Sequence, residues 1–325
     1  MSGDVEAQLD RAAAAISGAS VVALACHVWP DGDALGSMLA LHHLAGAHGR
    51  PSVASWPEPQ HVAPHYAFLP GLDSVTKAAD FPSAPEVMVT FDSGSLDRLG
   101  SLVPAARAAG ELIVVDHHAS NTRYGSINVI DPDAAATAVI VRALARRLGW
   151  ALTRDAALCI YTGLVTDTGR FQYANTTPEV FALAEELAEF DLPIAFMTRE
   201  LFEKHRFSYL RLVSDVLARA ELDPETGMVF AWVTQDDLAR HGVGLDETEG
   251  LIDLVRRTAE ARVAMVAKES PDGVRVSLRS VDETDVGVVA TALGGGGHRF
   301  ASGFVWPGTV ADAARAVRRS LAAGG

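Results

Sequence analysis

The sequence predicts an α/β fold with a mostly parallel sheet, followed by a smaller α+β unit. Three observations carry this. Continuous apolar runs of strand length alternate with helical segments over the first half of the chain. Three of those runs end in polar clusters, where parallel sheets place their ligands: His27-x-x-x-Asp31-x-Asp33, Asp92-Ser93-Gly94 and Asp116-His117-His118. The texture changes after the turn-forming Asp223-Pro224-Glu225-Thr226-Gly227, from helices to β-rich segments.

In order, residues 5–16 read as a helix, 20–26 as a short buried strand and 33–48 as a helix, with Pro51 opening a strand through Trp56. Residues 86–91 and 111–115 are further apolar strands, with a helical segment, 95–109, between them. Residues 134–148 form an Ala/Arg-rich helix with Asp131 or Asp133 as its N-cap. Another helix, 153–168, ends at Asp167-Thr168-Gly169-Arg170, and helices continue to about Ala220. Residues 228–233, 261–267 and 274–278 read as strands, the last two joined by the hairpin signal Pro271-Asp272-Gly273. The expected organisation is a first domain over 1–190, a helical linker over 191–225 and a second domain over 226–325.

At 325 residues and 49% hydrophobic, the chain can bury a sizeable core, which argues against global disorder. Cys26 and Cys159 form no CxxC or metal-knuckle spacing, so a reduced, cytoplasmic setting is expected and a disulfide framework is not. The acidic N-terminus lacks a signal-peptide pattern, and no apolar run approaches the roughly 20 residues that span a bilayer. A formal net charge of −14 argues against a coat for long duplex nucleic acid, which needs a basic face. Residues 226–325 hold 11 Lys+Arg against 13 Asp+Glu, so nearly all the excess acid lies before them. A carboxylate-rich half suits cations, although solvated acidic helix faces explain most of these charges.

His27, Asp31 and Asp33 let one imidazole and two carboxylates converge on a small volume, with Pro30 and Gly32 turning the backbone. Oxygen ligands with imidazole suit Mn²⁺ or a similar divalent ion. The ordinary alternative is that Asp33 caps the helix beginning at Ala34. Asp92, after the next strand, can bridge two cations through its two oxygens. Asp116 and His117 follow the strand after that, and Asp167 lies at a helix C-terminus, where the dipole favours a cation. Each alone has an ordinary explanation as a cap or turn. Together they supply the ligand set that two divalent ions roughly 3.5–4 Å apart require. In Gly294-Gly295-Gly296-Gly297-His298-Arg299, the glycines let backbone N–H groups approach an anion, and His298 can add a charge-assisted contact. Arg279 can reach the same anion bidentately or simply end a strand in solvent.

These residues resemble a known family. His27-Val28-Trp29-Pro30-Asp31-Gly32-Asp33-Ala34-Leu35-Gly36-Ser37, Asp92-Ser93-Gly94, Asp116-His117-His118 and Val165-Thr166-Asp167-Thr168-Gly169 resemble, in order, the four motifs of DHH phosphoesterases. Gly294 to Gly303 resembles the glycine–histidine motif of their DHHA1 substrate domain. Length and motif order look most like the oligoribonuclease (nanoRNase)/pAp phosphatase subfamily. The resemblance implies that His27, Asp31 and Asp92 hold one Mn²⁺, and that Asp33, Asp92, His117 and Asp167 hold a second. Mg²⁺ or Co²⁺ are the substitutes it allows. It implies that Asp116 orients a histidine, that His118 faces the phosphate or leaving group, and that Arg279, Gly296, Gly297, His298 and, less directly, Arg299 bind substrate.

The implied reaction is phosphoester hydrolysis by a two-metal-activated hydroxide. The implied substrates are short: pAp, dinucleotides such as pApA, RNA oligonucleotides of a few residues and cyclic di-AMP. The implied assembly is a homodimer, with no membrane partner. The rivals are a pyrophosphatase or single-strand exonuclease of the same superfamily, and a non-catalytic nucleotide sensor.

Overall fold

The structure is a computed structural model and describes residues 2–323. The chain divides into two compact units, Met1–Leu201 and Phe202–Gly325.

The first unit runs α1 (Gly3–Gly18), β1 (Val22–Cys26), α2 (Gly32–Ala47), β2 (Ser52–Ser55), β3 (Val87–Phe91), α3 (Val103–Ala108), β4 (Glu111–Asp116), β5 (Ile127–Ile130), α4 (Thr137–Arg147), α5 (Arg154–Asp167), α6 (Pro178–Ala188) and α7 (Ile194–Thr198). Its five strands pair in the order β2-β1-β3-β4-β5, all parallel. Every residue of β1 and β3 is buried, as the unbroken apolar runs require of strands covered on both faces. Register then sets up the site. Cys26 pairs with Phe91, and Phe91 with Val115, so His27, Asp92 and Asp116 leave three adjacent strands in one row. Adjacent strands lie about 4.8 Å apart, which brings these side chains within reach of a shared ligand.

Two expected helices differ from their sequence reading. Segment 95–109 is a 3₁₀ stretch, Leu96–Leu102, followed by α3. Gly100, at φ +47°, breaks the run, and Pro104 favours a fresh helix start. The helix expected over 134–148 begins only at Thr137, and neither Asp131 nor Asp133 caps it. Its first N–H groups go instead to a carboxylate from α2: Thr137 N donates to Asp33 Oδ2 (2.6 Å) and Ala138 N to Asp33 Oδ1 (2.9 Å). The short strand β5 carried no clear signal in the sequence.

The second unit runs α8 (Phe207–Ala218), β6 (Glu221–Asp223), β7 (Met228–Val233), α9 (Gln235–His241), α10 (Leu251–Val255), β8 (Val263–Ser270), β9 (Gly273–Ser280), α11 (Val286–Ala292), β10 (Gly296–His298), β11 (Ala301–Trp306) and α12 (Val310–Ala323). Its mixed sheet has the order β10-β11-β9-β8-β7-β6, and β8 and β9 close the expected hairpin with Ser270 opposite Gly273. Alternation along β7 and β8 divides the core between the two faces. Met228, Phe230, Val263 and Met265 pack on one side, and Val229, Ala231, Ala264 and Val266 on the other. Segment 191–225, read as a helical linker, includes α7 and α8, and α8 packs Tyr209, Leu212 and Val216 into the second unit's core. No helix among the described residues is long and apolar enough to cross a membrane.

Candidate metal centre

The loop after β1 carries His27, Trp29, Asp31 and, on the first turn of α2, Asp33. Asp31, not Asp33, caps α2: its Oδ1 accepts from Asp33 N (3.1 Å) and Ala34 N (3.0 Å). Its Oδ2 lies 4.0 Å from His27 Nε2. Asp33 is wholly buried, and its oxygens take the first amides of α4 and the Ser37 hydroxyl.

Asp92 ends β3 with φ +54°, a left-handed conformation that aspartate adopts more readily than bulkier residues. Its two oxygens face different imidazoles. Oδ2 lies 3.5 Å from His27 Nε2, and Oδ1 lies 3.6 Å from His117 Nε2. Around His117 Nε2 also stand Asp33 Oδ2 at 3.8 Å and Asp167 Oδ2 at 3.1 Å. His117 Nδ1 is 3.1 Å from the Ala134 carbonyl, which accepts its N–H and places the ring lone pair on Nε2, toward the carboxylates. An imidazole lone pair facing carboxylate oxygens needs a cation between them, either a proton or a metal ion.

The electrostatics agree. Burial, then the charges of Asp167 and Asp92, push Asp33 well above the usual carboxylate range. Burial also raises Asp167, to about 6 with help from Asp31 and Asp92, against the pull of His117. Burial alone would raise Asp92 too, but its hydrogen bond with His27 and the charges of His118 and His117 hold it low. Three groups of donors, each within 4.8 Å, share Asp92: His27 with Asp31, Asp33 with His117, and Asp116 with His118. This donor set of carboxylate oxygens and imidazole nitrogens fits a pair of divalent ions.

Asp116 is fully buried, and both of its oxygens are engaged in hydrogen bonds. Its Oδ1 accepts from His117 N (2.9 Å) and His118 Nδ1 (2.8 Å), and its Oδ2 accepts from Asn121 Nδ2 (2.5 Å). Burial opposes protonation of His118, but the bond to Asp116 and the charge of Asp92 prevail and raise its pKa.

The DHH family N-terminal domain profile matches residues 21–164, and the DHHA1 domain profile matches residues 226–323. The chain is 33% identical, over 93% of its length and 90% of the relative's, to the bifunctional oligoribonuclease and PAP phosphatase NrnA of Thermus thermophilus. The chain is a DHH/DHHA1 phosphoester hydrolase. The NrnA of Bacillus subtilis is 27% identical over 85% of this chain and 86% of that protein. The fold is shared with an exopolyphosphatase-related protein from Bacteroides fragilis, with a TM-score of 0.88, 24% identity and coverage of 98% and 96% of the two chains.

In the DHHA1 unit, Gly296, Gly297 and His298 form β10, an end strand paired with β11, while Arg279 lies opposite Ala301 on β9. The glycine run is therefore partly a packing device. A Cβ on Gly295 would meet Gly303 O at 2.2 Å, and one on Gly297 would meet Ser302 Cα at 2.6 Å, whereas Gly296 opens onto free space. The Arg279 Nη1 donates to Leu278 O (3.0 Å), and its Nε is buried with no hydrogen-bond partner. Arg299 is held by Glu283, at 2.9 Å from its carbonyl and 2.8 Å from its carboxylate.

Sequence reading missed four residues of the DHH site. Thr137 Oγ1 donates to Asp92 Oδ1 (3.1 Å), and Asn121 steadies Asp116. Arg98 Nη2 lies 3.0 Å from His27 Nδ1, competing with the Val28 carbonyl at 2.9 Å for that nitrogen. Gly163 on α5 admits Asp33: a Cβ there would sit 2.6 Å from Asp33 Oδ1. Only Asn121, three residues beyond the double histidine, lay within reach of a local pattern.

Proposed function

We propose that this enzyme is a two-metal phosphoesterase of short nucleotides. It converts pAp to AMP and pApA and other RNA oligonucleotides of a few residues to mononucleotides, with cyclic di-AMP as a further candidate substrate. The supporting observation is the division of Asp92, one oxygen toward His27 and the other toward His117. In this reading His27, Asp31 and Asp92 hold one ion, and Asp33, Asp92, His117 and Asp167 the other. Mn²⁺ suits these hard oxygen and imidazole donors, as do Mg²⁺ and Co²⁺.

When bound, two such ions supply a hydroxide nucleophile at neutral pH and neutralise phosphate oxygens. The chain's own residues do the rest. Asp116 holds His118 by Nδ1 and leaves Nε2 to donate a proton toward a phosphate oxygen or the leaving ribose oxygen. Asn121 keeps Asp116 from rotating. In the DHHA1 unit, β10 (Gly296, Gly297 and His298) offers at its outer edge those amides that alternate away from β11, and Arg279 on β9 adds a guanidinium, as contacts for a second anionic group. The chain's net charge of −14 favours short substrates over long duplexes, and the NrnA relatives carry the matching activities in their names.

The test is product analysis with Mn²⁺ on pAp, pApA, cyclic di-AMP, a five-nucleotide RNA and pyrophosphate. AMP from pAp and pApA is expected. Phosphate released from pyrophosphate alone would overturn the reading in favour of a pyrophosphatase, and metal binding without turnover would favour a sensor.

A further inference from the structure

Two groups claim the same nitrogen of His27. The Val28 carbonyl oxygen lies 2.9 Å from Nδ1, and Arg98 Nη2 lies 3.0 Å from it. A carbonyl can only accept and a guanidinium can only donate, so the two contacts cannot be hydrogen bonds at the same time. With the proton on Nδ1, Val28 O accepts it, and Nε2 keeps its lone pair toward Asp92 Oδ2 (3.5 Å) and Asp31 Oδ2 (4.0 Å), as a metal ligand requires. With the proton on Nε2, Nδ1 accepts from Arg98, and the imidazole has no lone pair left on the metal side. Arg98 therefore favours the proton position that excludes an ion, which is the opposite of what a brace for the site would do. Its other surroundings agree. Its backbone is tied to the metal loop, because Arg98 O accepts from Val28 N at 3.0 Å. Its side chain is exposed, and among the described residues it pairs with no carboxylate, in a chain of net charge −14.

We propose that Arg98 is a metal-gated contact for the substrate phosphate. It holds His27 Nδ1 while no ion is bound, and it gives up that nitrogen to the Val28 carbonyl when Nε2 takes a metal ion. The guanidinium, one imidazole ring from the ion and without a carboxylate partner, then turns to the anion bound there. The inference rests on the proposed phosphoesterase reading and deepens it. The exchange needs no net proton, since one leaves Nε2 and one is taken up at Nδ1. A guanidinium suits it, because its planar fork pairs two N–H groups with a phosphate but only one with an imidazole nitrogen. Arg98 thereby acts with opposite sign on the two ligands, opposing the metal ion and favouring the phosphate. By linkage, phosphate that captures Arg98 also strengthens metal binding.

The test is calorimetry on the full chain for wild type, Arg98→Met and Arg98→Lys, first with Mn²⁺ alone and then with ribose 5-phosphate added to the Mn²⁺-loaded protein. A hydrogen bond to a charged group is worth roughly tenfold or more in a binding constant. Arg98→Met keeps the stem and removes the charge. It should bind Mn²⁺ more tightly, by up to about tenfold, and ribose 5-phosphate about tenfold more weakly. Arg98→Lys keeps the charge without the fork, so it should lose less of the phosphate affinity. Mn²⁺ binding in Arg98→Met that is no tighter than in wild type would overturn the gate, and weaker binding would show Arg98 to be a brace. An unchanged affinity for ribose 5-phosphate in Arg98→Met would overturn the phosphate contact. Because both readouts are binding, they are separate from the parent reading. A wild type that fails to hydrolyse pAp and pApA removes the proposed reaction, while the two titrations still decide the role of Arg98.

Discussion

Asp33 shows how far a single side chain's role is set by its surroundings. In sequence it doubles as a helix cap, and that alternative fails because Asp31 occupies the cap and Asp33 turns inward. There it lies among Asp92, Asp167 and His117, where burial and like charge raise its pKa and bring Asp167 to about 6. A metal ion competes with protons for these groups, so affinity should rise as pH increases through about 6, where Asp167 titrates, and keep rising as His117, raised well above the usual imidazole range, gives up its proton. Titrations of Mn²⁺ binding between about pH 5 and about pH 8 check this, and a flat profile would contradict it. Thr137 steadies the same cluster through its hydroxyl on Asp92. Loss of such supporting contacts typically costs about 10- to 100-fold in metal affinity. Thr137→Val should fall in that range with its fold intact, and metal calorimetry beside circular dichroism would show it.

The elements explain which parts of the centre were legible. His27, Asp92, Asp116 and His117 follow buried apolar strands, and a parallel sheet in register brings such strand ends together. That is a local signal with a predictable three-dimensional consequence. Thr137 was not legible, because its backbone bond to Asp33 joins residues 104 positions apart and depends on how α4 docks on α2. The late start of α4 has the same cause: its capping carboxylate comes from another helix. Gly163 was invisible for a related reason, since only the close packing of α5 on α2 reveals why a side chain is excluded. Gly163→Ala gains about 1 kcal/mol of helix propensity. Its Cβ, however, would lie 2.6 Å from Asp33 Oδ1 and 2.9 Å from Ala138 Cβ, and such overpacking typically costs about 1–3 kcal/mol. A lower Tm together with weaker metal binding is expected. Wild-type values for both would show that the two helices part without cost.

Across the whole chain, most of the acidic excess lies before residue 226, in the part that holds the candidate metal centre. Composition made that asymmetry readable at once, whereas the packing role of Gly295 and Gly297 against β11 emerged only from the sheet. Bound divalent ions relieve repulsion among buried carboxylates, and any ligand of the folded state stabilises it by mass action. At 100 times Kd the gain is about 2.7 kcal/mol. Mn²⁺ should therefore raise the Tm of the full chain and a chelator should lower it. A Tm indifferent to both would mean that the buried carboxylates hold no ion.

The most direct measurement is electron paramagnetic resonance of the Mn²⁺-loaded protein, with metal content and AMP release followed on the same samples. If Asp92 bridges the two sites, wild type will show a spin-coupled Mn²⁺ pair, and Asp92→Ala will lose both the coupling and nearly all turnover while keeping its fold. An Asp92→Ala protein that retains near-wild-type hydrolysis, or a wild type holding only isolated Mn²⁺, would contradict the bridged two-metal centre.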